Sequence, residues 1–290
     1  MRKINKKYSE RPSSLRYDNF YYKRAINGVL SHSKWYLKAS SLYSSPSVKS
    51  ALNTLYNYKC AFCEQKPIGS PAQVEHFRPK NGVANTAHTG YYWLGYEWSN
   101  LLLSCGNCNS SKGTHFNLTD ENNRFLAPVY LLNKTIDNST NFIFYEGLNN
   151  EKCLLINPEI VDPEKHFIYR ASGEIESNTV EGIESILRYD LNRDELFVNG
   201  RQKIKNDIQN KFLQRFENYS DGTPVKFIIQ QLMNIINEEI VENISNNGSF
   251  YSFYKKMLLD HNVFFLNKIA DKKYSIPLQI AFNRVIQTLI

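Results

Sequence analysis

The sequence has no apolar run approaching the length of a membrane span. Its start, Met1-Arg2-Lys3-Ile4-Asn5-Lys6-Lys7, lacks the apolar stretch of a secretory signal. Both absences predict a soluble, cytoplasmic protein with no membrane partner. No internal repeat and no low-complexity tract occurs, which sets aside repeat architectures. Cysteine is scarce, at five in 290 residues. Acids are scarce at one end. Residues 1–40 hold ten Lys/Arg, Lys38 among them, against two acids, so a charge of +8 lies there and the remainder, at −1, is close to neutral. That arm is also aromatic, with Tyr8, Tyr17, Phe20, Tyr21, Tyr22, Trp35 and Tyr36. Cations neutralise phosphates and aromatic rings stack on bases, so Arg2, Lys3, Lys6 and Lys7 are candidate nucleic-acid contacts. A solvated arm whose rings dock on the protein's own core fits the composition equally well.

Four of the five cysteines fall in two pairs, Cys60-Ala61-Phe62-Cys63 and Cys105-Gly106-Asn107-Cys108. Four thiolates so spaced predict a tetrahedral structural zinc site, closed by the protein and without an open position for chemistry. Disulfides are disfavoured in a chain without a secretory signal. The interval between the pairs is longer than in a simple zinc ribbon, so a piece of structure is inserted there. Cys153, in the strand-like run Lys152 to Ile156, is expected to be a buried small hydrophobe.

Hydrophobic periodicity outlines three segments: a basic aromatic arm over 1–45, a module over 46–125, and a mostly helical scaffold or partner-binding region over 126–290. A helix is expected from Phe20 to Leu37. Another starts at Ser45-Pro46, with Val48, Leu52, Leu55 and Tyr56 on one face. Pro67 to Ala72 reads as a turn, Gln73 to Phe77 as a strand, and 81–90 as a loop. Tyr91 to Trp98 is an aromatic run expected to form local core. Asn107 to Lys112 should be helical, ended by Gly113. Strands are expected at Leu154–Asn157 and His166–Ile175, and a helix at Val180–Asp190. A long helix capped by Asn192 or Asp194 should run to about Tyr219, with Ile204, Ile208, Phe212 and Phe216 as its stripe. Arg201, Lys203, Lys205, Lys211 and Arg215 on its other faces read as solvated charge or as a binding surface. Residues 225–290 read as two or three packing helices.

Between the cysteine pairs lies Val74-Glu75-His76-Phe77-Arg78-Pro79-Lys80. Hydrolysing a phosphodiester needs a base for water, a cation for the transition state, and stabilisation of the leaving oxygen. His76 suits the first task, because imidazole titrates near neutrality. Glu75 and Asn109 offer hard oxygen donors for one Mg²⁺ or Mn²⁺. Adjacent strand residues point to opposite faces, so both act on one phosphate only if the backbone bends there. A ββα module supplies that bend. Arg78 and Lys80 are further candidate phosphate contacts.

The pattern Cys60-x-x-Cys63, Glu75-His76-x-x-Pro79, Asn100-Leu101, Cys105-x-x-Cys108-Asn109-x-x-Lys112 resembles the HNH endonuclease family with its ββα-metal site, over about fifty residues. The resemblance implies His76 as general base and Glu75 and Asn109 as metal ligands. It implies Asn100 as the residue pinning the loop between the strands, and Lys112 as a phosphate contact. Glu75 stands where Asp is more frequent, and Asn109 where many members carry His. His115 and His88 are lesser candidates.

Further blocks, Tyr91 to Leu101, Leu155-Ile156-Asn157-Pro158, Asp162 to Phe167, and Leu191-Asn192-Arg193 with Arg201, resemble the HNH nucleases of the Septu anti-phage systems and their retron-associated relatives. That implies a bacterial defence effector beside an ABC/SMC-like ATPase subunit (PtuA-like), with a retron reverse transcriptase and its msDNA as a further candidate partner. The chain has no Walker A sequence, so any ATP sensing would belong to such a partner. The fold expected is mainly α (α+β): a helical scaffold with an inserted ββα-metal HNH module stapled by a four-cysteine zinc site. DNA is the expected substrate. An RNA nuclease acting, for example, on tRNA, and a non-catalytic zinc-stapled nucleic-acid-binding module, are the alternatives.

Overall fold

The computed structural model describes every residue except 37–40, 68, 134, 220–221, 246–247, 270 and 290. The expected helix end at Leu37, the arm cation Lys38, and Ile68 in the Pro67–Ala72 turn therefore lie outside the described residues. The protein is mainly helical, with two small two-stranded sheets among the described residues. No described helix is long and apolar enough to cross a membrane. Packing divides the chain into two compact units. One comprises Arg2–His166 and Asn178–Asp190; the other comprises Met1, Phe167–Ser177 and Leu191–Ile290. Residues 1–45 and 46–125, apart from Met1, thus share the first unit with 126–166.

In the first unit, α1 (Phe20–His32) starts where the Asn19 side chain accepts the Tyr21 and Tyr22 N–H groups, capping two orphan donors. Helix α2 (Pro46–Tyr56) has proline in its first turn, where no N–H is needed. It buries Val48, Leu52 and Tyr56 and ends at Asn57, which takes the left-handed conformation at φ 52°. Strand β1 (Gln73–His76) pairs antiparallel with β2 (Leu101–Ser104), placing Glu75 opposite Leu102 and His76 opposite Leu101. The chain between them folds the aromatic run into 3-10 turns at Tyr92–Leu94 and Trp98–Asn100, and every residue from Tyr91 to Asn100 except Gly95 is among the buried side chains. Helix α3 (Gly106–Lys112) follows β2 directly and stops at Gly113, φ 49°.

Past α4 (Glu146–Asn149), Leu154–Asn157 is not a strand. Its backbone finds other partners: Leu154 N–H donates to Asn117 O at 2.9 Å and Ile156 N–H to Ser185 Oγ at 2.8 Å. Short apolar runs do not distinguish strand from other buried chain. Cys153 is half-buried, its thiol 3.5 Å from Leu155 O. Helix α5 (Val180–Arg188) is capped by the Thr179 hydroxyl.

The second unit holds the hairpin β3 (Ile168–Tyr169) and β4 (Ile175–Glu176), far shorter than the strand expected at His166–Ile175. Asn192 does not cap a helix. Its amide spans the Ile175 backbone, accepting the N–H at 2.9 Å and donating to the C=O at 2.7 Å. A π-helical turn, Phe197–Gln202, leads into α6 (Lys203–Glu217), which buries Ile208, Phe212 and Phe216. Arg201 and Lys205 are buried, contrary to their expected exposure. Arg201 donates to Gly173 O at 2.5 Å and Leu191 O at 2.8 Å, so its charge staples the hairpin. Helices α7 (Val225–Ile236), α8 (Glu242–Ser245), α9 (Tyr251–Leu259), α10 (His261–Phe264) and α11 (Lys272–Leu289) complete this unit. Its core includes Leu232, Ile236, Phe253, Leu278 and Phe282.

Candidate functional site

The four paired cysteines come together. Their sulfur atoms all lie within 4.8 Å of one another, all four side chains are buried, and none forms a disulfide. Cys63 Sγ and Cys105 Sγ are 3.8 Å apart. A tetrahedral zinc with bonds of about 2.3 Å requires sulfurs roughly 3.8 Å apart, so the donor set and its spacing fit a closed metal site. The first pair follows α2 and is tied to β2 by Ala61 N–H donating to Leu103 O at 2.8 Å. The second pair ends β2 and opens α3, where the Cys105 sulfur accepts the Cys108 N–H. The cluster therefore closes the chain around β1, β2 and α3, the elements that carry Glu75, His76 and Lys112.

His76 ends β1 and is 5% exposed. Its Nε2 lies 2.9 Å from Gly95 O. A carbonyl only accepts, so Nε2 carries the proton and Nδ1 carries the lone pair. Burial, followed by the charge of Lys80, pushes the imidazolium pKa well below the ordinary histidine value. At neutral pH the ring is thus a free base with one defined basic nitrogen. Lys80 Nζ stands 3.4 Å from that nitrogen.

Glu75, adjacent in sequence, is 5% exposed and makes a 2.6 Å ion pair with Lys112. Burial raises its carboxyl pKa, and Lys112 opposes the rise. Lys112 also donates to His76 O at 3.1 Å and is fully buried. The expected phosphate contact is therefore a counter-ion inside the module, because helical spacing from Cys108 turns Lys112 onto β1. Asn109, half-exposed, donates its amide to Gln73 Oε1 at 2.5 Å, leaving Oδ1 as its acceptor end. Glu75 and Asn109 are hard oxygen donors on adjoining elements, as a Mg²⁺-type cation requires, and Lys112 already places positive charge on the carboxylate.

Asn100, 2% exposed, holds the loop after β1. Its Oδ1 accepts Arg78 N–H at 2.8 Å, and its amide donates to Arg78 O at 3.0 Å and Leu94 O at 3.2 Å. That clasp produces the sharp turn at Phe77–Arg78.

The proposed nucleic-acid contacts separate into two groups. Arg78 is 4% exposed, bound to Glu151 at 2.8 Å and to Leu148 O at 2.7 Å, and so does not face a substrate. Lys6 is also buried. It donates to Trp98 O at 2.7 Å and Leu101 O at 2.6 Å, pairs with Glu159 at 3.2 Å, and sits 3.8 Å from the Trp98 ring centroid. Lys3 and Lys7 are exposed, the first donating to Glu159 O and the second to Glu10, and Arg2 is half-buried. Arg11 and Tyr17 both bind Glu97. Much of the arm thus docks on its own unit. His88 holds the 81–90 loop through Phe125 O and Gly90 N–H. His115 is half-buried beyond α3, with no hydrogen bond to its Nδ1 among the described residues.

Three residues around His76 were not among the candidate site residues. Gly95 supplies the carbonyl that fixes the His76 tautomer, and a Cβ there would collide with the Trp35 ring. Trp35 and Tyr43 cover His76, with ring centroids 6.3 and 4.7 Å away. A lone glycine within a dense aromatic run is the one signal, since it marks close approach of another group.

No family model matches the chain, and no solved structure matches it. Among curated proteins it is similar to the Septu protein PtuB of Bacillus mycoides (strain KBAB4), with 34% identity over 221 residues, covering 73% of this chain and 68% of that one. It is 33% identical over 106 residues to the Septu protein PtuB of Bacillus thuringiensis, covering 36% of this chain and 35% of the relative. It also shares 29% identity over 160 residues with the Septu protein PtuA of Bacillus mycoides (strain KBAB4), covering 53% of this chain and 20% of that longer one. With identity of 34% sustained over about two thirds of both chains, this protein belongs to the Septu protein PtuB family.

Proposed function

We propose that this chain is a metal-dependent HNH endonuclease that hydrolyses DNA phosphodiesters as an effector of Septu anti-phage defence, together with a PtuA-like ATPase. One observation carries the chemistry. His76 is held as a neutral imidazole with Nε2–H on Gly95 O, so Nδ1 is the defined base. Nδ1 takes a proton from the attacking water, and the Gly95 carbonyl stabilises the imidazolium that forms. Asn100 fixes the turn after His76, and Lys112 pairs with the Glu75 carboxyl beside it. Glu75 and Asn109 would hold a Mg²⁺ or Mn²⁺ ion, whose charge would offset that building on the phosphoryl oxygens. A structural zinc held by Cys60, Cys63, Cys105 and Cys108 would keep β1, β2 and α3 in register. The Septu role and a PtuA-like partner are supported by the PtuB and PtuA relatives, and the partner's ATPase character is what the sequence resemblance implies.

The test is Mg²⁺-dependent cleavage by the purified chain, with and without the PtuA-like protein. Supercoiled DNA and structured RNA are offered in parallel, with His76→Ala as control. The expected result is DNA cleavage that leaves 5′-phosphates and is lost in the variant. Cleavage of RNA alone would move the substrate to RNA, and cyclic phosphate ends would overturn the water mechanism.

A further inference from the structure

We infer that Lys80 is a cap on the basic nitrogen of His76, displaced by the substrate phosphate, with Trp35 and Tyr43 as the walls that seat it. The inference rests on His76 being the base. With Nε2 committed to Gly95 O, Nδ1 holds the one lone pair in the plane of the ring. Lys80 Nζ is 3.4 Å from it, and an ammonium has only donors, so Lys80 donates into that lone pair. The ammonium also lies 5.3 Å from the Trp35 ring centroid and 4.9 Å from that of Tyr43, within cation–π range. Those two rings meet edge-on at 5.9 Å and leave His76 5% exposed. Among the described residues, the other charges facing Lys80 are Glu75 and Lys112. The position a water must occupy to give up its proton is therefore taken by Lys80.

A neutral imidazole nitrogen is a weaker partner for an ammonium than a phosphodiester oxygen, because the oxygen belongs to an anion and adds the Coulomb attraction of opposite charges to the hydrogen bond. A phosphate reaching this wall draws Nζ from Nδ1 onto a non-bridging oxygen. Lys80 then neutralises that phosphate and opens Nδ1 to water in the same movement. The base is bare only where substrate is present, which limits unproductive proton transfer in the resting protein. Lys80 is thus a substrate-binding residue as well as a block.

The experiment uses the full chain without divalent metal and short duplex DNA as probe, comparing wild type, Lys80→Met and Lys80→Arg. Met keeps the packing of the stem against the rings, and Arg keeps the charge. The side-chain ¹⁵N resonance of His76 Nδ1, assigned against His76→Ala, should move when DNA is added to wild type. It should move toward the position it already holds in DNA-free Lys80→Met. The slope of log K against log salt should fall in magnitude by about 0.9 in Lys80→Met, one phosphate's worth, and be kept in Lys80→Arg. An Nδ1 resonance identical in wild type and Lys80→Met, an unchanged salt slope, or no binding of DNA at all would overturn the inference. If cleavage depends on His76 while neither readout responds to Lys80, the cap alone fails; if His76→Ala still cleaves, the reading beneath it fails.

Discussion

Replacing Lys112 by Met should destabilise the cysteine-bearing unit by about 3–5 kcal/mol, because it strands a buried carboxylate. Lys112 Nζ is 2.6 Å from Glu75 Oε1, with the two side chains 0% and 6% exposed. At an effective dielectric near 20, that separation gives an attraction of about 6 kcal/mol. Removing each ion from water costs several kcal/mol, so the intact pair nearly balances against an apolar pair of the same size. Deleting the lysine removes the largest attraction and leaves the carboxylate's desolvation opposed only by the weaker effects of Lys80 and the His76 backbone. The double variant Glu75→Gln/Lys112→Met should therefore recover most of the loss. Urea unfolding followed by tryptophan fluorescence reads this unit alone, since Trp35, Trp93 and Trp98 all lie in it. The metal assignment adds a second arm. Mg²⁺ should restore stability to Lys112→Met, where Glu75 is free to bind it, and not to the double variant. A loss below about 1 kcal/mol in Lys112→Met, or strictly additive single variants, would refute the pairing.

Asn100→Ala should cost about 1–3 kcal/mol by leaving the Arg78 backbone groups unpaired, and Asn100→Asp, which restores only the acceptor, should fall between; the same unfolding assay decides. Lys6→Met should destabilise by about 3–5 kcal/mol through buried Glu159, while leaving the salt dependence of DNA binding unchanged. A slope reduced by about 0.9 would instead place Lys6 on a phosphate. Metal analysis should find one zinc per chain, lost in Cys108→Ser together with cooperative unfolding of this unit; full folding after chelation would rule out a structural metal. In the other unit, burial pushes the Tyr254 phenol up to about 12. The folded value exceeds the unfolded one near 10, so this stability is intact below about pH 10 and lost as pH rises toward 12. Tyr254→Phe should flatten the decline of helical circular dichroism across that window, and an equal decline in both proteins would count against the buried phenol.

The sequence alone determined what depends on neighbours along the chain. Two Cys-x-x-Cys pairs specify a four-sulfur cluster by spacing, and proline at position 46 and glycine at 113 mark helix ends by their own dihedral limits. The Glu75-His76 pair, followed by Pro79, was visible as a candidate because its residue types match one chemistry. The apolar run at Leu154–Asn157 misled, since buried chain of any conformation has that composition. The destination of the cations was beyond the sequence. Composition counts a lysine as charge whether its head meets water, a phosphate or a carboxylate. Lys6 finds Glu159 across 153 residues and Arg78 finds Glu151 across 73, so only the folded chain decides that neither is available to a ligand. The same holds for His76. Its type suggested a base, but the nitrogen that keeps the lone pair is chosen by a carbonyl 19 residues away, and its cover by rings from the arm. Long-range packing fixes the tautomer and burial of His76 and the counter-ion of Glu75, and none of these follows from neighbours along the chain.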